Sequence, residues 1–169
     1  MRLETPKIPL KMTIYLASQS PRRAELLQQI GVEFRPLLPQ NAADKQAAEA
    51  LELVLPGEAP AAYVQRVSKL KAQAAYLRWQ ALAAQDAPAW PAMPILCADT
   101  TVALGAQILG KPADDVDAAA MLAQLSGRAH EVLTAVAVVD QAGALHTALS
   151  RSQVQFKSLN AAEIAAYVA

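Results

Sequence analysis

Short apolar, β-branched segments alternate with helix-like segments along this sequence, and the alternation limits the fold more than any other feature. Residues 13–17, TIYLA, have the composition of a buried strand. Ser20 can then cap a helix that has Pro21 at its first position and stops at Gly31. A second short strand is predicted over 32–38. A strand, a tight loop and a helix in this order are typical of an α/β domain.

The rest of the chain adds hairpins to this alternation. The predicted elements are a short helix over 45–54 inside a mobile connection, a long helix over 61–84, a linker over 88–94, a hairpin beginning with strand 95–104, a helix over 114–126, strands over 131–139 and 144–156, and a final helix capped by Asn160 and Glu163. Because hairpins and helical connections both occur, we predict one α/β domain with a twisted, mixed sheet flanked by helices.

Composition limits the classes of partner. The 169 residues are 54% hydrophobic, which is enough for one filled core. Basic and acidic residues balance at 15 each, so we expect no nucleic-acid polymer and no membrane surface as partner, and an anionic ligand must be met locally. The single cysteine, Cys97, favours a reducing compartment, and we expect a cytoplasmic protein. Residues 1–12 are expected to be a poorly ordered extension ahead of a domain over 13–169.

The first candidate site lies where the first strand meets its helix. Arg22 and Arg23 occupy the first helical turn, where the positive end of the helix dipole makes cationic side chains unfavourable. With the hydroxyls of Ser18 and Ser20 and the free backbone N–H groups, they can form a cradle for phosphate oxygens. The alternative is that both arginines are solvated and Ser20 only caps the helix.

Three further residues are candidates on the same reasoning. Asp99 ends the apolar run ILCA and is either a base or metal ligand, or an aspartate that caps a turn ahead of Thr100. Lys111 follows the predicted hairpin and either reaches the same pocket or faces water. Lys71 lies beside Lys69 on the long helix, where a solvated face is the usual explanation.

Five segments together, in their order and spacing, resemble the Maf family of nucleotide pyrophosphatases: LASQSPRRAELL at 16–27, YVQRVSKLKAQAA at 63–75, ADTTV at 98–102, ILGKP at 108–112 and MLAQLSGRAHEVLTAV at 121–136. The resemblance spans residues 13–169. It implies an α/β domain with a long twisted mixed sheet and a cleft between two lobes. It also implies hydrolysis of nucleoside triphosphates with Mg²⁺ or Mn²⁺, and members often form dimers, so a homodimer is expected.

The resemblance also implies roles for individual residues. Asp99 matches the family's general base, which takes a proton from the water attacking the α-phosphate, and it is also a candidate metal ligand. The triphosphate would be held by Ser18, Arg22, Arg23, Lys71 and Lys111. Arg22 directly after the proline and Thr100 directly after the aspartate resemble the subgroup acting on dTTP and UTP. The 7-methyl-GTP subgroup usually has a bulky aromatic residue and a glutamine there.

Two departures from the family pattern bear on these expectations. A short acidic motif that contributes a glutamate to the metal site is replaced here by PQNAAD, residues 39–44, in which Asp44 is the nearest carboxylate and the candidate ligand. The family also continues beyond a helix like EIAAYVA into a segment with a specificity glutamine, whereas this sequence ends at Ala169. The alternatives are a truncated version of a longer protein, which we expect, and a naturally shortened member that lacks part of the sheet and pocket.

Two alternative functions remain open at this point. One is a nucleotide-binding module without catalysis, regulatory in septum formation, which the missing glutamate and the missing segment favour. The other is the same hydrolase acting on another modified nucleotide, such as 7-methyl-GTP. Hydrolysis of dTTP and UTP is the favoured hypothesis because Asp99 and Lys111, which the chemistry needs, are both retained.

Overall fold

A computed structural model describes residues 13–169. The extension expected over residues 1–12 lies outside the described residues. The described elements are β1 (Thr13–Leu16), α1 (Pro21–Gln29), β2 (Glu33–Pro36), α2 (Ala42–Ala50), α3 (Pro60–Gln85), β3 (Ile95–Leu104), β4 (Gln107–Leu109), α4 (Asp115–Leu125), β5 (Ala129–Val139), β6 (Leu145–Gln155) and α5 (Ala161–Val168).

The strands form one mixed sheet, which confirms the predicted fold class. Its order is β2-β1-β3-β5-β6, and the short β4 pairs with β3 outside this path. β1 runs parallel to both of its neighbours, whereas β3, β5 and β6 form antiparallel pairs. The parallel half comes from the strand–helix–strand segments at the start of the described chain, and the antiparallel half comes from the hairpins that follow.

The sheet is split beside the middle of β3. β1 pairs with β3 only at Tyr15↔Ile95 and Leu16↔Leu96, and β4 pairs with it only from Val102 onward. In the described part of the chain, the edge of β3 over 98–101 therefore has no strand partner on the β1 side. A cleft opens at this point because β1 turns away from the sheet into the loop that precedes α1.

Helix α3 covers one face of the sheet and forms most of the core. Its Val64, Val67, Ala72 and Ala75 are at most 1% exposed. They pack against buried residues of β3 and β5, among them Ile95, Cys97, Ala103, Leu133, Ala135 and Ala137. Burying each large apolar side chain stabilises the fold by about 1.5 to 3 kcal/mol. At 26 residues α3 is the longest of the described helices, yet no described helix is long and apolar enough to cross a membrane.

Helix termini agree with the sequence in part. Asn160 and Glu163 form the predicted capping box at the start of α5. Ser20 is the N-cap residue of α1 with Pro21 at the start of the helix, as predicted, but the Ser20 hydroxyl makes no capping hydrogen bond. The Ser20 N–H instead donates to the Ser18 hydroxyl at 3.2 Å. α2 begins earlier than predicted because Asn41 caps it by accepting a hydrogen bond from the Asp44 N–H.

The Pro-rich stretch over 88–94, predicted as a linker, is packed against the sheet. Trp90 lies 5.8 Å from the ring of Tyr15 in β1, and the Arg35 guanidinium lies 3.8 Å above the Trp90 ring. The Tyr15 hydroxyl donates to the carbonyl of Pro91 at 3.1 Å. Aromatic and cation–π contacts of this kind hold the stretch in place between α3 and β3.

The single cysteine provides a test of this core. Cys97 is fully buried beneath α3, and burial raises the pKa of its thiol to about 12. Because the thiolate is the reactive form, we expect Ellman's reagent to label the native protein negligibly at pH 8 and to label one thiol per chain in strong urea. Rapid labelling without urea would contradict the packing of α3 on β3.

Candidate active site

A cavity of about 610 Å³ lies beside the split in the sheet. Its walls come from the β1–α1 loop, α2 with the segment that follows it, α3, the middle of β3 and the start of the β4–α4 connection. Among the described residues, the charged side chains that line it are five basic and three acidic: Arg23, Lys45, Lys71, Arg78, Lys111, Glu49, Glu52 and Asp99. The chain as a whole has no net charge, but basic side chains outnumber acidic ones in this cavity. The cavity is therefore a local site at which an anion can bind.

Lys71 connects two carboxylates at the base of this cavity. Its Nζ lies 2.7 Å from Asp99 Oδ1 and 2.7 Å from Glu52 Oε1. Asp99 is 8% exposed and projects from β3 toward α3, on which Lys71 lies. Small residues on both elements let the helix approach the strand closely enough for this contact. The three charges come from three different segments and converge at one point.

The charge states of these groups follow from the pairing. Burial alone would lower the pKa of Lys71, but its hydrogen bonds and charge interactions with Asp99 and Glu52 outweigh burial and raise it. Burial would likewise raise the pKa of Glu52, but Lys71 and then Lys111 outweigh it and lower that pKa. At neutral pH Lys71 is therefore an ammonium and Glu52 a carboxylate.

Three of the four side chains predicted to form the phosphate cradle lie together in the cavity. Ser18, Ser20 and Arg23 all line the cavity, and Arg23 Nη1 donates to the Ser18 hydroxyl at 2.9 Å. Arg22, predicted to share this task, is exposed and is not among the lining residues. Successive residues of an α-helix point about 100° apart, and of the two neighbouring arginines Arg23 is the one that faces the cavity.

Thr100 and Lys111 both line the cavity, as predicted. The Thr100 hydroxyl shares a 3.0 Å hydrogen bond with that of Thr134 on β5. Lys111 is held loosely, with its side chain 86% exposed and Nζ 3.3 Å from Glu52 Oε2. This exposure leaves its ammonium free to move toward an anion in the cleft.

Asp44, the predicted metal ligand, is not brought to the cavity. Its carboxylate accepts a hydrogen bond from the Gln40 N–H at 3.1 Å in the first turn of α2, so it is engaged in stabilising that turn. It is absent from the lining residues, whereas Glu49 and Glu52, one and two turns further along the chain, are among them.

Glu52 is the functional candidate that the sequence did not single out. It lies in the Ala- and Glu-rich connection over 39–60, which has no clear hydrophobic period. Asp44 is the carboxylate nearest to the position of the family's acidic motif. The one available signal was a second acidic residue later in the same connection. Its position depends on the turn after α2, which brings the chain back onto α3, and that turn is not encoded in any short motif.

The two carboxylates on Lys71 suit a divalent cation. In the part of the chain that the structure describes, no group of three or more His, Cys, Asp or Glu side chains is placed to hold a metal. Mg²⁺ and Mn²⁺, however, prefer oxygen ligands, and Mg²⁺ commonly takes only one or two carboxylates together with substrate phosphates. Asp99 and Glu52 already converge on a cationic group, the Lys71 ammonium. The donor set therefore fits such an ion bound together with a phosphate.

Comparison with known proteins places the chain in a family. Residues 13–169 match the model of the family described as Maf-like protein, and the chain belongs to that family. A protein of Cupriavidus pinatubonensis named dTTP/UTP pyrophosphatase is 57% identical over 155 residues, which cover 92% of this chain and 72% of that protein. One of the same name from Burkholderia thailandensis is 52% identical over 168 residues, covering 99% and 74%.

Solved structures support the same fold. The chain is similar to a HAM1 protein from Coxiella burnetii, with a TM-score of 0.51, 14% identity and coverage of 86% of this chain and 73% of that one. The Ham1 protein of Staphylococcus aureus gives a TM-score of 0.50 at 11% identity, covering 85% and 71%. At these identities the likeness concerns the fold alone, and it agrees with the mixed, open sheet.

The Lys71 bridge can be tested by its contribution to stability. Replacing Lys71 with Met leaves Asp99 without its cationic partner and Glu52 with only the exposed Lys111, and we expect the free energy of unfolding in urea at pH 7 to fall by about 1 to 3 kcal/mol. Lys69→Met, on an exposed position of the same helix, is the matched control and should change it by less than about 0.5 kcal/mol. Equal effects of the two substitutions would contradict a stabilising bridge.

Proposed function

We propose that this chain is a nucleoside triphosphate pyrophosphatase that hydrolyses dTTP and UTP to the monophosphate and pyrophosphate. The observation that carries the proposal is a buried carboxylate, Asp99, held by Lys71 at the base of a cleft with an excess of basic side chains. Relatives that are more than half identical over most of the chain carry the name dTTP/UTP pyrophosphatase, which supports this substrate class.

Binding of the triphosphate rests on the two walls of the cleft. Arg23 and the hydroxyls of Ser18 and Ser20 offer donors from the β1–α1 side, and Lys111 offers an ammonium from the side of β4. Charge-assisted hydrogen bonds of this kind are the strong ones for phosphate oxygens. Phosphoryl transfer is mostly positioning and neutralisation of oxygen charge, so these groups supply most of what the reaction needs.

Asp99 acts as the general base in this proposal. Lys71 donates to its Oδ1, which fixes the carboxylate and leaves its other oxygen to accept a proton from water. The water oxygen bonds to the α-phosphorus, the bond from that phosphorus to the bridging oxygen breaks, and pyrophosphate leaves with the bond electrons. The proton remains on Asp99 until it is released to solvent.

A divalent cation, when bound, would neutralise charge on the triphosphate and favour departure of pyrophosphate. Asp99 and Glu52 are the residues that would hold it, in place of Asp44, and Lys71 would then exchange one carboxylate partner for a phosphate oxygen.

Thr100, which lines the cavity, would contribute to selection of the base, and Arg22 would act from outside it. A cytoplasmic location, where free nucleoside triphosphates are available, and a homodimer belong to the same proposal.

The proposal is tested by measuring pyrophosphate release from UTP, dTTP, CTP, GTP and 7-methyl-GTP with Mg²⁺ or Mn²⁺. We expect release from UTP and dTTP and little from the others. Asp99→Asn is the control, because it removes the base and keeps the shape, so turnover should be lost while nucleotide binding persists. Turnover in Asp99→Asn equal to that of the unaltered chain would overturn the mechanism, and nucleotide binding without release from any substrate would favour a binding module.

Two neighbouring arginines provide a matched pair for the phosphate cradle. Arg23 lines the cavity and Arg22 does not. A charge-assisted hydrogen bond is worth about 1.5 to 3 kcal/mol, so Arg23→Ala should weaken binding of UTP, measured calorimetrically with Asp99→Asn as background, by about tenfold or more. Arg22→Ala should weaken it several times less. The reverse order would show that the cradle binds phosphate from the outer face of α1.

A further inference from the structure

The segment over 51–58, which carries Glu52 from α2 to α3, is held by one side chain of α3. Arg66 forms a bidentate pair with Glu58, with Nε 2.6 Å from Oε1 and Nη2 2.7 Å from Oε2. The same guanidinium donates to the carbonyl of Leu53 at 2.8 Å and to that of Leu51 at 3.4 Å. The carbonyls on either side of Glu52 are thus both bound to Arg66.

Tyr63, one turn earlier on α3, completes this arrangement. Its hydroxyl donates to the carbonyl of Glu52 itself at 2.9 Å, and its ring is 8% exposed. The Arg66 guanidinium lies 5.6 Å from the centre of that ring. Three consecutive backbone carbonyls of the segment therefore accept hydrogen bonds from two side chains of the same helix. We refer to Arg66, Tyr63 and Glu58 as the carbonyl clamp.

The segment has few apolar contacts to hold it. Leu51 is partly buried, but the next three apolar side chains are exposed, with Leu53 at 66%, Val54 at 52% and Leu55 at 50%. Burial of apolar surface, which fixes most irregular segments, therefore contributes little here, and polar contacts with α3 determine where the backbone lies. Glu52 is the one side chain of this segment that lies within ion-pair distance of Lys71 among the described residues.

We propose that Arg66 is a positioning residue for the active site: through the carbonyl clamp it holds Glu52 against Lys71 and Asp99, at the point where a divalent cation binds. This rests on the proposed function, which assigns Glu52 as a ligand of that cation. Arg66 itself is not among the residues that line the cavity. Its effect is transmitted through the backbone of the segment, as outer residues commonly orient the ligands of metal ions.

A surface ion pair with no link to the site would behave differently. Such pairs usually contribute between about 0 and 1 kcal/mol to stability and leave ligand binding unchanged. The Arg66 pair is partly buried, with side-chain exposures of 26% for Arg66 and 10% for Glu58. Stability alone cannot separate the two roles, because breaking either kind of pair lowers it. Cation affinity can separate them, because only a positioning role acts on Glu52.

The test is a double-mutant cycle on cation binding in the full chain, without nucleotide but with inorganic phosphate at a fixed concentration, because the ion is expected to bind together with a phosphate. Binding of Mn²⁺ is followed by electron paramagnetic resonance for the unaltered chain, Arg66→Gln, Glu52→Gln and the double variant. We expect Arg66→Gln and Glu52→Gln each to weaken Mn²⁺ binding by about tenfold, and the double variant to be no weaker than Glu52→Gln alone. Lys69→Gln, which removes a charge from an exposed position of the same helix, should leave binding unchanged.

Each outcome bears on the proposal. Tyr63→Phe keeps the ring and removes one donor, so it should weaken Mn²⁺ binding in the same direction and gives a second test if Arg66→Gln does not fold. Unchanged Mn²⁺ binding in folded Arg66→Gln, or additive losses in the double variant, would overturn the positioning role while leaving the pyrophosphatase proposal intact. Unchanged binding in Glu52→Gln would overturn both the assignment of Glu52 and the role of Arg66. Absence of pyrophosphate release from the unaltered chain would count against the proposed function, and it is measured in a separate assay.

Discussion

Close packing of α3 on β3 and β5 is the contact on which the rest of the molecule depends. Ala72 and Ala75 on the helix meet Cys97 and Ala137 on the strands, and all four are fully or almost fully buried. Protein interiors are packed without voids, so the size of the side chains between the helix and the sheet sets the distance between them. Small side chains on both surfaces therefore bring α3 close to the sheet. Lys71 can reach Asp99 only at such a distance. The core and the candidate active site are therefore two results of one packing arrangement.

Charged side chains from distant parts of the sequence lie close together at the candidate active site. Its groups come from α1, α2, α3 and β3 and from connections between them, so no single element carries the chemistry. Lys71 is shared between Asp99 and Glu52, and these partners raise the pKa of Lys71 while Lys71 lowers that of Glu52. A network of this kind responds as a unit, since removing one member leaves the remaining charges without partners.

Structural features that depend on residues adjacent in sequence could be predicted. Features that depend on how the chain turns back on itself could not. β3 was predicted with its observed bounds because an apolar run lies between Pro94 and Gly105, and the Asn160–Glu163 capping box is a local pattern. The family motifs led to Ser18, Arg23, Lys71, Asp99 and Lys111, all of which line one cavity. Glu52 was missed because a backbone turn decides its position.

Local patterns also misled where two local interactions compete. Ser20 has the right type and position for a helix cap, but the Arg23 N–H donates to the Ser20 carbonyl and not to the Ser20 hydroxyl. Arg22 and Arg23 look equivalent in sequence, yet the rotation of the helix separates them. The order of the strands could not be predicted from a single sequence, because pairing between β3 and β5 joins residues as distant in sequence as Ile95 and Val139.

The split in the sheet has a mechanical consequence. The half that contains β1, β2 and α1 is joined to β3 by only two residue pairs, whereas β3 and β5 are joined along almost their whole length. Ser18 and Arg23 lie on the β1 side of the cleft, whereas Lys71, Asp99 and Lys111 lie on the β3 side. Tyr15 of β1 nevertheless belongs to the same buried cluster as Ala72 and Cys97, so a change in the width of the cleft also shifts part of the core beneath α3. An anion that contacts side chains on both sides of the cleft links the β1 side of the sheet to the β3 side.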